Sequence, residues 1–230
     1  WLLDAADLVA EGFISNEHLA GLPWANASTD NVDALSFIQA RERSQALSDA
    51  LLHSWSEQSA ERHQAFTTWC DEQSWLEDHV RFRVLHDQHQ QAWWTWPSPL
   101  AHHQSKALEV WALDHQDALQ RERLTQWQLD RQWQLIRQRA ADLGILLFGD
   151  LPFYVSADSA DVWSHRHLFT IAADGTLSTQ SGVPPDYFSE TGQLWGSPVY
   201  RWWRHRLTQF SWWRQRIARQ RHLMDLLRLD

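Results

Sequence analysis

A long connection between two helix-then-strand patterns opens with GDLPFYVSADSADVW, residues 149–163, and closes with VPPDYFSETGQLWGSPVY, residues 183–200. The connection is rich in Gly, Pro and Asp, and it interleaves aromatic rings with carboxylates. Long connections inside a compact domain are usually functional, disordered or linkers, and linkers contain few aromatic residues. Carboxylates accept hydrogen bonds from vicinal hydroxyls, and flat rings cover the apolar faces of sugars. The pattern therefore favours a site for a neutral polyhydroxyl ligand.

Short apolar runs flank this connection. Gly144 is expected to end a helix, residues 145–148 are predicted to form a strand buried on both faces, and residues 226–230 return to a strand. Helix, strand, loop, helix and strand form an α/β unit with parallel strands, and functional groups of barrels lie beyond the carboxyl ends of the strands. Asp150 follows the first predicted strand and Asp230 ends the second, so both are expected at the same edge.

Arg228 and Asp230 lie two residues apart on the second predicted strand. Alternation puts both side chains on one face, and Leu227 and Leu229 on the other. A guanidinium beside a carboxylate favours the ionised form, and attack on an anomeric carbon requires an ionised carboxylate. From the spacing alone, an ion pair at the surface is the competing interpretation.

The remaining sequence is predicted to be largely helical. Apolar spacing predicts a helix from about Val32 or Ser36 to Leu52 and another over residues 59–71. It also predicts a helix beginning near Ser74, one or two helices over 104–142, and one over 199–224. The buried positions expected in the 104–142 segment are Leu108, Trp111, Leu119, Leu124, Trp127 and Leu135. Residues 168–179 are predicted to form a hairpin that turns at Asp174 and Gly175.

Four segments of the sequence resemble those of a known family: GDLPFYVSADSADVW, LFTIAADG, SGVPPDYFSETGQLWGSPVYRW and the final LLRLD. In content and order they resemble the 4-alpha-glucanotransferase (amylomaltase, disproportionating enzyme) family of the alpha-amylase clan. The likeness is sharpest over residues 144–230 and weaker over the first residues and the helical middle. It implies an α/β fold that is part of a (β/α)8 TIM barrel. Residues 1–30 and 141–230 would be barrel segments, and residues 31–140 a large helical insertion subdomain.

The resemblance also implies roles for single residues. Arg228-Leu-Asp230 stands where the family has Arg-Ile-Asp, so Asp230 is expected to be the nucleophile and Arg228 its ionising partner. Asp150 is expected to orient a sugar or brace the catalytic residues, and a structural role in a turn is the alternative. The loop that closes the long connection resembles the loop covering the family's glucan-binding cleft. Its expected substrate-binding residues are Asp186, Tyr187, Phe188, Gln193 and Trp195. A loop held by its own aromatic rings is the alternative.

The activity implied by the resemblance is the transfer of 4-alpha-glucosyl units between alpha-1,4-glucans with retention. Maltooligosaccharide donors and acceptors are the expected partners, and the oligomeric state stays open. The family's general acid/base and its stabilising carboxylate lie downstream of the nucleophile and are absent from this sequence. The chain is therefore expected to be an internal piece of a longer protein and to be inactive alone. The alternatives are an alpha-glucan hydrolase of the same clan and a non-catalytic glucan-binding or partner-binding fragment.

Composition argues against several other classes of function. The net charge of −9, from 20 basic and 29 acidic residues, argues against nucleic acid as a partner. No apolar run approaches a membrane span and no signal peptide is visible, so a cytoplasmic location is the expectation. Cys70 is the one cysteine and is expected to be inert packing. The thirteen histidines show no zinc spacing, and no phosphate loop is present, so neither a metal nor a cofactor is expected.

Overall fold

The computed structural model describes residues 3–22, 37–185, 187 and 189–230. Its α-helices are α1 Ala5–Ala10, α2 Asn16–Ala20, α3 Phe37–Trp55, α4 Ala60–Glu72, α5 Leu76–His89, α6 Ser98–Ala101, α7 Ser105–Leu113, α8 Gln116–Asp142, α9 Ala160–Ser164, α10 Trp202–Leu207 and α11 Ser211–Leu223. Short 3-10 helices cover Trp93–Thr95 and Arg166–Leu168. The strands are β1 Phe148–Leu151, β2 Gln180–Val183, β3 Gln193–Pro198 and β4 Leu226–Leu229. None of the helices described has the length and apolar character that a membrane crossing requires.

The chain forms two compact units. The first unit contains Trp1–Leu76 and His115–Ile136, and the second contains Glu77–Asp114 and Arg137–Asp230. The boundaries of these units differ from those of the predicted segments 1–30, 31–140 and 141–230, because helices from the middle of the chain fall in both units. The assignment of those segments to a barrel and an insertion stays a prediction.

The first unit has a core of aliphatic and aromatic side chains from α1, α3, α4 and α8. The predicted positions Leu124 and Trp127 are buried here, and Trp127 packs edge-on against Phe13 with ring centroids 5.7 Å apart. Ser59 begins α4 by accepting a hydrogen bond from the Arg62 N–H at 3.3 Å. The side chain of Arg62 returns over the Phe13 ring at 4.3 Å, so that it covers the core edge while its charge stays at the surface.

The second unit is built around buried aromatic rings. Trp93, Trp163 and Phe169 are fully buried, and both indole N–H groups are satisfied. Trp93 Nε1 donates to the Ala157 carbonyl at 2.8 Å, and Trp163 Nε1 donates to the Leu100 carbonyl at 2.9 Å. A buried indole keeps its packing energy only when its N–H finds an acceptor, and these two do. These tryptophans of the sequence therefore serve the core.

Strands β1 and β4 pair in parallel, as the α/β pattern predicted. Phe148 lies opposite Leu226, and the register continues to Leu151 opposite Leu229. Gly149 lets α11 approach closely, because a Cβ atom there would lie 2.5 Å from Met224 Cγ.

The predicted strand over residues 145–148 is wrong in its bounds. Gly144 ends α8 with φ +69°, and the Ile145 N–H still donates to the Ala140 carbonyl at 2.9 Å. Residue 145 therefore belongs to the helix cap, and strand pairing begins only at Phe148. Ile145 and Leu146 are exposed among the described residues, where the sequence predicted burial.

Two antiparallel features lie within the long connection. The predicted turn is confirmed, because Ile171 bridges Leu177 and the Asp174 carboxylate accepts the Thr176 N–H at 3.0 Å. The hairpin of β2 and β3 was not predicted. Its strands are short and carry Gly and Pro, so the sequence shows little alternation of apolar and polar residues there.

Two helical predictions need correction. The helix predicted over residues 199–224 is two helices, because Gln209 and Phe210 take φ values of +50° and +57° between α10 and α11. Residues in that left-handed region cannot continue a right-handed helix. In α8, Leu135 is 52% exposed rather than buried. The predicted segment 104–142 forms two helices, α7 and α8, which agrees with one of the two forms expected.

A fully buried histidine lies behind the aromatic core of the second unit. The ring of His205 packs against those of Tyr200 and Trp202, with ring centroids 5.4 and 5.5 Å away. Its ring nitrogens have no hydrogen bond of normal geometry within the described chain. Burial lowers the pKa of His205, and it also lowers the pKa of His165 and His167 nearby. Burial therefore disfavours the protonated form of all three imidazoles.

Replacing Gly175 by Ala is predicted to destabilise the protein by about 2–4 kcal/mol, whereas Gly144→Ala costs about 1 kcal/mol. Both glycines have positive φ, but a Cβ at Gly175 would lie 2.3 Å from Trp94 Cβ, and one at Gly144 meets nothing within 4 Å. Urea unfolding of the two variants measures the difference. Equal losses would contradict the close packing of the Asp174–Gly175 turn.

Acidification is predicted to destabilise the protein through the three histidines with lowered pKa. An unfolded chain binds their protons at higher pH than the folded chain, so their contribution is complete above about pH 6.5 and falls as the pH drops below it. Asp78 and Asp161 partly oppose this at His165, and Arg201 and Arg204 reinforce it at His167.

Thermal unfolding at pH 7.5 and 5.5 tests this prediction. His205→Phe is expected to show a smaller drop in Tm between the two pH values than the unchanged protein. Replacement of the exposed His102 by Gln is the matched control and is expected to leave the drop unchanged. The same drop in His205→Phe and in the unchanged protein would remove His205 from the explanation.

Candidate functional site

The carboxyl ends of β1 and β4 bring the predicted acidic and basic residues together. Asp150 lies opposite Arg228 in the parallel ladder. Gly149 faces Met224, the residue that follows α11, and the side chain of its ladder partner Leu227, so alternation turns Asp150 and Arg228 to the other side of the sheet. Asp150 was predicted to follow the strand, and this is wrong by position, because it is the third residue of β1. Its side chain nevertheless reaches the expected edge.

Arg228 holds Asp150 with both arms of its guanidinium. Arg228 Nε donates to Asp150 Oδ1 at 3.0 Å, and Nη2 donates to Oδ2 at 2.5 Å. This hydrogen bonding lowers the pKa of the Asp150 carboxyl and raises the pKa of the Arg228 guanidinium. The fork-to-fork geometry restricts the orientation of Arg228 in a way that a single contact would not.

Asp230 lies beside the same guanidinium. Its Oδ2 is 3.3 Å from Arg228 Nη2, so one nitrogen serves two carboxylates. Its side chain is 67% exposed in the described chain, and it can be approached from solvent. The sequence named Arg228 as the partner of Asp230, and the structure adds that Asp150 is the closer partner. The three side chains, Asp150, Arg228 and Asp230, are called the charged trio below.

The backbone of Asp230 is held on both sides. The Asp230 N–H donates to the Leu151 carbonyl at 3.0 Å, and the Phe153 N–H donates to the Asp230 carbonyl. The parallel ladder thus continues one residue past the strands and fixes the start of the long connection against the end of the chain.

An aromatic wall lies next to the residues that hold Asp230. Tyr154 follows Phe153, and its ring lies 6.3 Å from the ring of Trp195 on β3. Trp195 is half exposed, and its Nε1 donates to Gln193 Oε1 at 3.1 Å. Gln193 and Trp195 therefore present an amide and a flat ring side by side, which are groups suited to hydroxyls and to the apolar face of a sugar.

The predicted cleft loop is described only in part. Tyr187 is fully exposed, so its ring contributes nothing to the core. Asp186 and Phe188 lie outside the described residues. A substrate-binding role for these three residues stays a prediction.

Sequence reasoning missed Tyr154, Tyr200 and Arg216 as parts of this region. Tyr154 was a recognisable candidate, because it belongs to the aromatic and acidic stretch that opens the connection. Tyr200 and Arg216 act through hydrogen bonds to distant backbone, and neither spacing nor composition signals such contacts. In the ranges for which side chains are described, no three His, Cys, Asp or Glu residues come together as a metal ion requires.

Comparisons with known proteins identify the family of the chain. A model of the 4-alpha-glucanotransferase family matches residues 3–230. The 4-alpha-glucanotransferase of Thermus thermophilus is 37% identical over 187 residues, which are 80% of this chain and 37% of that protein. That of Synechocystis sp. is 34% identical over an alignment of 241 positions, covering 100% of this chain and 45% of that protein. The chain thus spans less than half the length of these curated relatives.

A plant relative and a solved structure complete the comparison. The chloroplastic/amyloplastic 4-alpha-glucanotransferase of Solanum tuberosum is 39% identical over 158 residues, which are 68% of this chain and 27% of that protein. The amylomaltase from Streptococcus agalactiae in complex with acarbose superposes with a TM-score of 0.89 at 27% identity, covering 100% of this chain and 46% of that chain.

The structural likeness confirms the predicted fold class, an α/β chain that forms part of a (β/α)8 barrel. The parallel pairing of β1 and β4, with the charged trio at its carboxyl edge, fits that barrel. Because the family model covers the described chain from end to end, and relatives above 30% identity cover it as well, the chain belongs to the 4-alpha-glucanotransferase family.

Proposed function

We propose that the protein transfers 4-alpha-glucosyl units between alpha-1,4-glucans by a retaining double displacement. The observation that carries the proposal is the charged trio at the carboxyl edge of two parallel strands, in a member of this family. An exposed carboxylate beside a fixed guanidinium is suited to attack on an electrophilic carbon, and barrel enzymes place such groups at this edge.

In the first step Asp230 is the nucleophile. One carboxylate oxygen forms a bond to the anomeric carbon of the donor, and the glycosidic bond to the leaving oxygen breaks. The leaving oxygen takes a proton from a general acid, which the family resemblance puts downstream of the nucleophile. Arg228 places a positive charge 3.3 Å from the attacking carboxylate, and Asp150 fixes the orientation of the Arg228 guanidinium beside the nucleophile.

In the second step the acceptor is a sugar 4-hydroxyl rather than water. The hydroxyl oxygen attacks the anomeric carbon, the bond to Asp230 breaks, and the hydroxyl proton passes to the general base that the first step left deprotonated. Two inversions give retention. The acceptor must outcompete water, and we assign this to sugar contacts by Trp195 and Gln193, with Asp186, Tyr187 and Phe188 from the adjoining loop.

Asp230→Asn, in the protein expressed from its complete gene, is predicted to lower transfer by more than roughly a thousand-fold while glucan binding persists. The amide keeps the shape of the carboxylate and loses its nucleophilicity. Arg228→Lys is also expected to lower the rate of transfer. The single ammonium group of lysine cannot bond both oxygens of Asp150 in a planar pair and still face Asp230. Maltotriose is the substrate, and chromatography of the products gives the rate.

Asp49→Asn is the matched control, because Asp49 is an exposed aspartate that also pairs with an arginine, Arg121, at 2.8 Å. It is expected to retain full activity. A fluorinated glucosyl donor that traps covalent intermediates is expected to label Asp230. A label on another carboxylate, or near-normal transfer by Asp230→Asn, would disprove the assignment.

The products also separate transfer from hydrolysis. A transferase converts maltotriose into glucose and maltopentaose, and a hydrolase of the same clan yields glucose and maltose only. Glucose and maltose without longer products would replace the proposed transfer by hydrolysis.

Trp195→Ala is predicted to raise KM for maltotriose about tenfold with little change in Tm, because a half-exposed ring gives stacking area to a ligand more than to the core. Tyr187→Ala is expected to act in the same direction on longer glucans. Trp203→Ala is the control, since Trp203 is also exposed but lies on α10 under Arg204. A similar KM for Trp195→Ala and Trp203→Ala would remove Trp195 from the substrate site.

A cytoplasmic location is part of the proposal. A single cysteine is the usage expected in a reducing compartment. The potato relative is named as a plastid protein, so cell fractionation of the source organism is the direct test.

A further inference from the structure

The carbonyl of Phe153 accepts hydrogen bonds from two side chains, the buried Tyr200 and the partly buried Arg216. The Tyr200 hydroxyl donates to it at 2.5 Å, and Arg216 Nη1 donates to it at 3.3 Å. Arg216 Nη2 donates to the neighbouring Pro152 carbonyl at 2.7 Å. The turn that follows β1 is therefore held by two side chains from later in the chain, one before α10 and one on α11.

The other side of the same peptide segment holds Asp230. The Phe153 N–H donates to the Asp230 carbonyl, so Phe153 is bonded to Tyr200 through its oxygen and to Asp230 through its nitrogen. The Pro152 carbonyl and the Phe153 N–H belong to one planar peptide group, so Arg216 fixes the group that bonds Asp230. The Phe153 carbonyl that Tyr200 holds belongs to the next peptide group, so the two side chains fix the backbone on both sides of the Phe153 Cα, and a displacement of Phe153 is passed to the backbone of Asp230.

Both donors are themselves well fixed. Tyr200 is 4% exposed and packs against Phe169 and Trp212, with ring centroids 5.3 and 5.8 Å away. The guanidinium of Arg216 lies over the Trp212 and Trp213 rings at 5.3 and 5.2 Å. Burial raises the pKa of the Tyr200 hydroxyl well above its usual range, so it stays a donor at working pH.

Tyr200 also reaches the aromatic wall. Its ring stacks on Tyr154 with centroids 6.0 Å apart and an interplanar angle of 12°, and Tyr154 contacts Trp195. The same side chain thus contacts the residue that holds Asp230 and the residue that adjoins the proposed sugar platform.

We infer that Tyr200 and Arg216 are positioning residues that set the Asp230 carboxylate for attack through the backbone on both sides of Phe153. The inference rests on the proposed role of Asp230 as nucleophile. Neither side chain touches the substrate in this scheme. Their effect is on the geometry of the attack, and a misplacement on the order of 1 Å is enough to slow a reaction about 100-fold.

Tyr200→Phe in the protein expressed from its complete gene tests the inference, because it removes the donor and keeps the ring. We expect kcat for maltotriose disproportionation to fall about 10- to 100-fold while KM changes less than about twofold. The rate at which a fluorinated glucosyl donor labels Asp230 is expected to fall in parallel.

Thr170→Val is the matched control. It removes a hydroxyl from the same part of the unit, where Thr170 Oγ1 donates to the Val199 carbonyl at 3.1 Å, without any bond to Phe153 or Asp230. Its Tm is expected to fall by an amount similar to that of Tyr200→Phe, and its kcat is expected to stay unchanged. Loss of kcat in Tyr200→Phe that is no greater than in Thr170→Val would overturn the inference.

Arg216→Lys gives a second, independent reading if Tyr200→Phe does not fold. Lysine keeps the charge and loses the fork that bonds Pro152 and Phe153 together, so the same selective loss of kcat is expected. Unchanged kcat in Arg216→Lys would also overturn the inference. If Asp230→Asn retains transfer, the proposed role of Asp230 as nucleophile is wrong. Because that result is measured on Asp230→Asn, it is distinguishable from a failure of the inference about Tyr200 and Arg216.

Discussion

The short parallel ladder between β1 and β4 is the constraint on which the rest of the second unit depends. It brings residues 148–151 beside residues 226–229, and closing so long a loop has an entropic cost that four pairs of residues hardly offset. Asp225 secures the start of the ladder by accepting the Leu147 N–H at 2.8 Å and pairing with Arg137 at 2.6 Å. These bonds lower the pKa of Asp225, so its anchor is charged over the whole neutral range. Without this ladder Asp150 and Arg228 would not meet.

The charged trio contributes little to stability itself, because ion pairs this exposed are screened by water. The aromatic core holds the backbone next to the trio, because Tyr200 bonds the Phe153 carbonyl and the Phe153 N–H bonds Asp230, and Trp163 and Phe169 of that core are completely buried. The division of labour is physical. Desolvated rings supply the rigidity, and the proposed function assigns the chemistry to the solvated charges at the edge of the sheet. A site arranged this way keeps its charges available to a polar ligand and still holds them in one orientation.

Sequence reasoning succeeded where a local rule determines structure. The Asp174–Gly175 turn, the end of α8 at Gly144 and the parallel strands each follow from a short pattern. It failed where distant contacts decide. The break at Gln209 and Phe210 has no Gly or Pro to signal it, and β1 starts later than its apolar residues suggest because the helix cap occupies residue 145. The trio was predictable as residues but not as a bidentate pair, since only the register places Asp150 opposite Arg228.

The hairpin of β2 and β3 has a consequence for how specificity can change. Gln193 and Trp195 belong to this hairpin, whereas the charged trio belongs to the parallel ladder, and the two sheets share no strand. Under the proposed function, insertions or exchanges between β2 and β3 would therefore alter which glucans bind without altering the strands that carry the proposed nucleophile. For protein engineering, the hairpin is therefore the segment to exchange while the parallel ladder is kept. Variants that differ in preferred chain length can be sought there while residues 148–151 and 226–230 are left untouched.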